Sequence, residues 1–231
     1  MLILALESSA KPASVAVVEV QLNQSEKSVK LLGQYYQNNG FSHSRTLMVM
    51  VKSLIGSLGI KPEDFSLVAV ANGPGSFTGV RIGVSAAKGL ALGLDLPVCG
   101  VSTLEAMAHQ TAQQDVIICP VMDARRNQVY NALFERKDGV LIRLCEDRVI
   151  SLDDLIVELN SFDKPCMPIG DGSDLVLAKK QDVNLLTPCH LIKYQTAFGV
   201  ALAAACAKTV SAAELEPFYL RPSQAEREAN Q

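Results

Sequence analysis

The length, composition and charge of the chain exclude several classes of protein. Its 231 residues are 48% hydrophobic and 19% charged, which is the balance of a globular protein and not of a disordered one. A net charge of −3 and Lys/Arg runs of at most two residues give no basic footprint for independent nucleic-acid binding, and no apolar run approaches the roughly 20 residues of a membrane span.

The first predicted strand argues for a cytoplasmic protein. Residues 1–6 are apolar, lack a basic flank and run directly into Glu7, which is typical of a buried strand and not of a signal peptide. The six cysteines form no CxxC pair and several lie inside apolar runs, which predicts buried free thiols in a reducing compartment. We therefore expect a cytoplasmic protein without membrane contact.

The first half of the chain predicts an α/β lobe. Apolar and β-branched segments are followed by alternating helices and strands, and Gly59 and Pro62 close the first helix. The predicted strands are residues 2–6, 14–20, 29–36, 67–71 and 98–101, and the predicted helices run from Ser42 or Ser44 to about 58, from 79 to 94 and onward from Ser102.

The second half begins in the same order. Its first strand ends at the acid Asp123, as the first strand of the chain ends at Glu7, and a polar turn and two further strands follow. The remaining predicted elements are strands 116–122, 128–134, 140–145 and 166–169 and helices 152–159 and 195–209. The pattern predicts two α/β lobes, 1–110 and 111–221, each a mixed sheet with helices on its faces, and a frayed tail at 222–231.

The loop Asn72-Gly73-Pro74-Gly75-Ser76-Phe77-Thr78-Gly79 is the most distinctive motif of the sequence. It joins a strand to a helix, where exposed amides favour anions. It does not match GxGxxG, because Thr78 stands where the third glycine is needed, and it lacks the Gly-Lys-Ser/Thr of a phosphate loop. We favour tight turning or partner contact as the role of these glycines, with direct phosphate binding as the alternative.

Two predicted helices of the first half have features of an interaction surface. The helix 79–94 places Gly79, Gly83 and Ala87 at four-residue spacing, although an interior glycine costs roughly 1 kcal/mol relative to alanine. The preceding helix adds Met48 and Val49 beside its core stripe, and methionine suits adaptable contacts. A close intramolecular neighbour would also explain these features, but we favour a partner interface. The predicted interface residues are His43, Leu47, Met48, Met50, Val51, Thr78, Gly79, Arg81, Ile82, Gly83, Ala86 and Ala87.

Candidates for catalysis are few. The sequence has no GxSxG motif, and its three histidines show no HExxH or HxxxH spacing. Glu7, Asp123 and Asp171 lie at strand ends, where many α/β folds place catalytic acids, but each also suits a simple turn. We predict no catalytic residue and no metal site, and Glu7, Ser9, Asp123 and Asp171 are weak candidates for cofactor binding.

Several segments spread over nearly the whole chain resemble one known family. The most specific is the run Gly73-Pro74-Gly75-Ser76-Phe77-Thr78-Gly79-Val80-Arg81-Ile82-Gly83. The others include Leu4-Ala5-Leu6-Glu7-Ser8-Ser9, Asp123-Ala124-Arg125-Arg126, Gly170-Asp171-Gly172 and Pro217-Phe218-Tyr219-Leu220-Arg221. The sequence is similar in these runs to the bacterial tRNA threonylcarbamoyladenosine biosynthesis proteins of the TsaB family.

The resemblance implies a duplicated two-lobed actin/Hsp70-like fold of the ribonuclease H-like (ASKHA) class, with a cleft between the lobes. It also implies partnership with a catalytic relative, TsaD, and with the ATPase TsaE. Together these proteins install threonylcarbamoyl on the adenosine next to the anticodon of tRNAs that read ANN codons. We expect a homodimer when the partner is absent, and no strong direct nucleic-acid binding.

Departures from the catalytic relative predict a subunit without independent chemistry. That relative carries a metal-binding HxxxH where this sequence has Thr103 and Met107, and these side chains cannot replace two imidazoles. The turn Glu7-Ser8-Ser9 replaces the Asp-x-Gly-x-Thr phosphate-binding pattern of the fold, so at most weak ATP or ADP binding is expected. The alternatives are a small kinase or ATPase of the same fold, by analogy alone, and a metallopeptidase.

Overall fold

The computed structural model describes residues 1–22, 27–40, 42–179 and 184–221, which form two mixed β-sheets with helices packed against them. The strands are β1 (Leu2–Glu7), β2 (Ala13–Leu22), β3 (Lys27–Gln37), β4 (Leu67–Gly73), β5 (Val98–Ser102), β6 (Ile117–Asp123), β7 (Gln128–Asn131), β8 (Phe134–Lys137), β9 (Val140–Arg143), β10 (Arg148–Ser151) and β11 (Cys166–Ile169). The α-helices are α1 (His43–Leu58), α2 (Phe77–Leu94), α3 (Thr103–His109), α4 (Leu152–Leu159), α5 (Ser173–Ala178), α6 (His190–Lys193) and α7 (Ala197–Ala204).

The central strand β1 explains why the first sheet has a core on each face. Successive side chains of a strand point to opposite faces, and a strand buried on both sides is therefore apolar throughout. Leu4 and Leu6 join the cluster beneath α1 and α2, whereas Ile3 and Ala5 join the cluster beneath α7. The apolar start of the sequence is thus a central strand, as predicted.

The strand order of the first sheet brings the turn after β1 and the loop after β4 to the same end of the sheet. Its strands follow the order β3-β2-β1-β4-β5, with β2 antiparallel to β1, and with β4 and β5 continuing parallel to β1. Because parallel strands end on the same side of a sheet, the Glu7 end of β1 lies beside the Gly73 end of β4. The turn after Glu7 and the glycine-rich loop therefore meet.

The second sheet repeats the order and direction of strands β1 to β4 of the first sheet. Strand β6 pairs with β7 and β8 in one continuous register, since Val121 faces Asn131 and Ile117 faces Glu135. Strands β7 and β8 are therefore one strand interrupted at 132–133, and β9 and β10 pair with them in turn. Strand β11 runs parallel to β6 as β4 runs parallel to β1. The repetition confirms the predicted duplicated, two-lobed α/β fold.

The C-terminal part of the chain differs from the predicted division into lobes 1–110 and 111–221. Helix α7, shorter than the predicted 195–209, packs between α3 and the β1, β2 and β4 strands of the first sheet. Val210 then bridges to Val98 of β5. A helix such as α7, which is apolar on all sides, must be covered on all sides, and the first sheet supplies that cover. Helix α7 and Val210 therefore belong to the first lobe by packing.

The cysteines of the chain differ in their exposure. Cys99, Cys119 and Cys166 are buried as predicted, whereas Cys189 and Cys206 are exposed. Among the described residues no helix is both long and apolar enough to cross a membrane. The predicted frayed tail at 222–231 lies outside the described residues.

Candidate functional site

A cleft of about 700 Å³ separates the two lobes. It is lined by the turn after β1, the glycine-rich loop before α2, the turn after β6, the loop after β11 and residues 218–221 of the C-terminal segment. The charged and hydroxyl side chains on its walls are those of Ser9, Lys11, Ser76, Thr78, Asp123, Arg125, Tyr130, Asp171, Tyr219 and Arg221. The duplicated order of the fold therefore brings three of the four weak candidates, Ser9, Asp123 and Asp171, to one cleft.

Glu7, the fourth candidate, lies behind this wall and is fully buried. Its Oε1 accepts hydrogen bonds from the amide and the hydroxyl of Ser9, both at 2.6 Å. Its Oε2 is buried without a hydrogen-bond partner in the described part of the chain. Burial raises the pKa of Glu7 to about 7, although the bonds from Ser9 lower it, and the carboxyl of Asp171 raises it slightly further. Glu7 thus shapes its own turn and takes up the Ser9 amide that a phosphate would need.

The glycines of the distinctive loop fit against this turn. A side chain at Gly75 would place its Cβ 2.4 Å from the Ser9 carbonyl oxygen, and one at Gly79 would come within 2.2 Å of the Ser8 carbonyl oxygen. The Ser76 amide donates to the Ser9 carbonyl at 2.6 Å. Contacts this short exclude any side chain, so close backbone packing between loop and turn accounts for these glycines.

The start of α2 is capped by the chain itself. The Ser76 hydroxyl accepts a hydrogen bond from the Gly79 amide at 3.3 Å, and the Val80 amide donates to the Ser76 carbonyl. The loop amides described here are therefore directed to groups of this chain. This arrangement favours the structural role of the glycines over the alternative of phosphate binding.

The two aspartates of the second lobe have different environments. Asp123 is exposed, and its Oδ1 accepts from the Arg125 amide at 2.7 Å, which forms the turn. Asp171 is half-buried, and burial raises its pKa to about 6, with Asp123 raising it and Lys11 lowering it. Its Oδ1 finds no partner among the described residues. The cleft therefore has an acidic floor, and Lys11 and Arg125 supply positive charge on its walls.

The predicted interface residues separate into two groups. Six of them are buried within the chain and belong to its core and not to its surface: Leu47, Met50, Val51, Gly79, Gly83 and Ala87. A Cβ at Gly83, for example, would lie 2.6 Å from the Ser8 hydroxyl and 3.2 Å from Val70. Burial corrects the prediction of a partner contact for these six residues. Gly79 and Gly83 accommodate the Ser8 turn and the sheet, and the other four belong to the core cluster of the first lobe. His43, Met48, Thr78, Arg81, Ile82 and Ala86 remain exposed or half-buried.

Helices α1 and α2 lie side by side, and part of their outward surface is exposed. Helix α1 turns Ser57 toward Tyr35 of β3, and α2 turns Arg81 and Lys88 toward the C-terminal segment. The two helices are neighbours on the same core cluster, and on α1 Met48 is 44% exposed and Val49 61% exposed. We call the outward surface of this pair the helix-pair face; it is formed by Met48, Val49, Ile82, Ala86, Gly89 and Gly93.

Glycine is abundant on this face without an intramolecular reason. A Cβ at Gly89 or Gly93 would meet no atom within 4 Å, in contrast to those at Gly79 and Gly83. The sequence contained this second stripe, since Ala86, Gly89 and Gly93 also lie at helical spacing, but only the structure separates it from the buried one.

Comparisons with known proteins identify the family. The family profile described as "TsaD: tRNA N6-adenosine threonylcarbamoyltransferase" matches residues 35–219. A Bacillus subtilis (strain 168) protein named tRNA threonylcarbamoyladenosine biosynthesis protein TsaB is 36% identical over 183 residues, which are 79% of this chain and 76% of that protein. The chain belongs to the TsaB family.

Further TsaB-family relatives cover a similar share of the chain. An Escherichia coli (strain K12) protein of the same name is 32% identical over 197 residues, 78% of this chain and 80% of that protein. The solved structure described as "YeaZ from Pseudomonas aeruginosa" has a TM-score of 0.75 and 25% identity, and the match covers 95% of this chain and 99% of that one. The likeness extends over both lobes and agrees with the duplicated actin-like fold.

In this TsaB-family chain the positions Thr103 and Met107 lie in the core. Both are fully buried on α3, and the sulfur of Met107 lies 3.1 Å from the Cβ position of Gly170. Within the described residues no group of three or more His, Cys, Asp and Glu side chains could hold a metal ion. Met107 therefore fills space between α3 and the loop after β11, and Thr103 is buried at the start of the same helix.

The C-terminal segment 217–221 is the part of the cleft that sequence reasoning missed. In the sequence it is only one of the weaker family motifs, and its position at the cleft depends on α7 returning to the first lobe. Two signals were present, since the segment carries two adjacent aromatic residues, Phe218 and Tyr219, and an arginine. Neither specifies which surfaces they contact.

Proposed function

We propose that the chain is a non-catalytic subunit for the synthesis of threonylcarbamoyladenosine in tRNAs that read ANN codons. In this role it binds and activates a TsaD-like transferase in the cytoplasm, together with a TsaE-like ATPase. Membership of the TsaB family supports the pathway, because its relatives are named as biosynthesis proteins of this nucleoside. The observation that carries the partner role is the helix-pair face.

The chemistry of this face supports contact with another polypeptide. Met48 and Val49 expose apolar surface that water solvates poorly, and the bare backbone at Gly89 and Gly93 permits close approach of a partner helix. Interior glycines weaken a helix, so their presence without an intramolecular contact calls for a neighbour outside the chain. We propose that a helix of the TsaD-like subunit occupies this position.

The non-catalytic part of the proposal is supported by the cleft. The Ser9 amide is bonded to Glu7, the glycines of the loop pack on the Ser8-Ser9 turn, and Thr103 and Met107 are buried where the catalytic relative carries histidines. These features leave little of the nucleotide and metal machinery that the resemblance associates with transfer. The alternative of a small kinase or ATPase predicts ATP binding in the cleft, which titration calorimetry of the purified chain detects.

The partner role is tested by comparing two exposed valines. Val49 lies on the helix-pair face, and Val157 on α4 is 71% exposed and remote from it. We expect Val49→Glu to weaken binding to the TsaD-like subunit by at least about tenfold, and Val157→Glu to leave it unchanged. Binding is measured by titration calorimetry or size-exclusion chromatography. Equal affinities for the two variants would exclude this face.

The non-catalytic role requires a second measurement. Purified chain is incubated with tRNA, ATP and threonylcarbamoyl-adenylate as the donor, once alone and once with the TsaD-like and TsaE-like proteins. We expect modified adenosine only in the complete mixture. Modification by the chain alone would overturn the proposal.

The same face also accounts for the proposed homodimer. When no partner is present, a second copy of the same chain can cover the apolar surface. We therefore expect self-association that the TsaD-like subunit displaces and that Val49→Glu abolishes. Light scattering of the isolated chain at rising concentration measures it, and a monomer throughout would contradict this part.

A further inference from the structure

Residues 218–221 of the C-terminal segment 217–221 line the cleft, and the start of the segment is attached to the N-terminal lobe. The Phe218 amide donates to the Asn72 carbonyl at 2.7 Å, and the Asn72 side-chain amide donates to the Glu216 carbonyl at 3.0 Å. A Cβ at Gly73 would lie 2.1 Å from the Phe218 carbonyl oxygen, so the segment and the end of β4 are in direct backbone contact. Gly73 therefore has to be a glycine for the segment to lie there.

An aromatic and cationic group holds the middle of the segment to α2. The rings of Tyr219 and Phe77 stack with centroids 4.8 Å apart, and the Arg81 guanidinium lies 3.8 Å from the centroid of Phe77. Arg81 also donates to the Tyr219 hydroxyl at 3.0 Å. Stacking, a cation–π contact and a hydrogen bond thus combine on the first turns of the helix that carries part of the helix-pair face.

The end of the segment is attached to the C-terminal lobe. The Arg221 guanidinium donates to the Ala124 carbonyl at 3.0 Å through one nitrogen and to the Gln128 side-chain oxygen through another. The two acceptors flank the turn between β6 and β7, since Ala124 is its first residue and Gln128 is the first residue of β7. This turn holds three successive residues with positive φ, Arg125 at 63°, Arg126 at 56° and Asn127 at 56°. Side chains other than glycine persist in that region only where their surroundings support them.

We propose that residues 217–221 act as an interlobe strap that couples the first turns of α2 to the β6–β7 turn. Tyr219 holds the middle of the strap to α2 and Arg221 holds its end to the second lobe, so a displacement of α2 reaches the second lobe through the three residues 219–221. The strap also supports the strained turn from outside, because Arg221 fixes the carbonyl at its start and the side chain at its end. Its last consequence rests on the proposed function: a partner bound on α2 changes the cleft through the strap.

Two variants, each of which removes one attachment of the strap, test the coupling in the free protein. Arg221→Met removes the attachment to the second lobe and keeps most of the side-chain volume. Tyr219→Ala removes the attachment to α2, and its described ring and hydroxyl contacts are to Phe77 and Arg81 of the first lobe. Amide hydrogen exchange followed by mass spectrometry reports on the β6–β7 turn, where the Ala124 and Gln128 amides are hydrogen-bonded.

In both variants we expect exchange in the β6–β7 turn to become on the order of tenfold faster, while exchange in α1 stays as in the wild type. The matched control is Arg136→Met, because Arg136 also donates to two backbone carbonyls, those of Thr111 and Gly139, but lies away from the cleft. A Tyr219→Ala variant with an unchanged turn would overturn the coupling, since a purely local role of Tyr219 predicts that result. If Arg221→Met unfolds the chain, Tyr219→Ala alone decides.

The step that involves a partner has a separate readout. With the TsaD-like subunit bound, we expect slower exchange of the β6–β7 turn in the wild type and no such slowing in Arg221→Met. Equal slowing in both proteins would show that the effect of the partner does not pass through the strap. A partner that does not bind at all contradicts the proposed function, whereas the strap itself is judged by the exchange of the free variants.

Discussion

Helix α2 has two faces that are equally rich in small residues, and they serve different purposes. On the inner face Gly79, Gly83 and Ala87 are buried, and a Cβ at Gly79 would lie 2.2 Å from the backbone of Ser8. On the outer face Gly89 and Gly93 would meet nothing within 4 Å. The inner stripe is therefore required by the fold of the single chain. The glycines of the outer stripe destabilise the helix and make no compensating contact within the chain. The difference indicates that a pattern of small residues has to be assigned face by face.

The largest effect is expected on the inner face, from Gly79→Ala. The new Cβ would collide with a backbone carbonyl oxygen, which moves only if the Ser8-Ser9 turn moves with it. We expect a loss of about 3 kcal/mol or more in the free energy of unfolding, measured by chemical denaturation. A change below about 1 kcal/mol would mean that the contact between α2 and the turn is looser than described.

The turn beneath the inner face should also make stability depend on pH through Glu7. Its pKa rises from 4.5 to about 7 on folding, so the folded chain keeps a proton that the unfolded chain releases. The resulting stability is complete below pH 4.5 and is lost as pH rises toward 7, by about 3 kcal/mol. Asp171, with its pKa raised to about 6, adds a loss in the same direction.

Glu7→Gln isolates this contribution, because glutamine can keep the hydrogen bonds from Ser9 but does not titrate. We expect the free energy of unfolding of the variant to fall less steeply between pH 4.5 and 7 than that of the wild type, as measured by urea denaturation at several pH values. Parallel curves for the two proteins would contradict the assignment.

On the outer face a bulky residue should affect binding and not folding. Gly89→Leu places a side chain where no atom of this chain lies within 4 Å. We expect affinity for the TsaD-like subunit to fall by about tenfold or more, since close approach of the two helices is blocked. Titration calorimetry measures the affinity, and the midpoint of denaturation should not decrease. Unchanged affinity would place the partner elsewhere.

The smallest effect distinguishes the two faces most directly. Gly89→Ala adds one methyl group to an open position, and alanine favours a helix over glycine by up to about 1 kcal/mol. We therefore expect a modest rise in the free energy of unfolding, opposite in sign to the effect of Gly79→Ala. Destabilisation by both substitutions would remove the distinction between the inner and outer stripes.

Much of the fold follows from local patterns. The predicted strand 166–169 and helix 152–159 match β11 and α4, and helix 79–94 differs from α2 by two residues at its start. Periodicity and caps act over a few residues, which is why they are readable in the sequence. The predicted strand 128–134 is interrupted in the structure at 132–133, because Ala132 and Leu133 are both buried and break the alternation of a strand.

Less of the candidate site could be predicted. The sequence predicts strand ends at Asp123 and Asp171 and a turn at Ser9, and the repeated order of the halves brings these three residues to one cleft. The burial of Glu7 and the assignment of Gly79 and Gly83 to the core depend on which backbone lies opposite them. For Gly79 and Gly83 that neighbour is the Ser8-Ser9 turn, whose Ser8 hydroxyl donates to the carbonyl of Gly79, 71 residues further along the sequence.

By itself the sequence determined the α/β class, the duplicated order of elements and the family, because these follow from hydrophobic periodicity and from motifs that are contiguous along the chain. Only the tertiary structure decided which small residues of α2 are covered, that α7 returns to the first sheet, and that residues 217–221 join the lobes. These features arise from contacts between segments far apart in the chain, where burial and steric fit select one arrangement among many that the same local patterns allow.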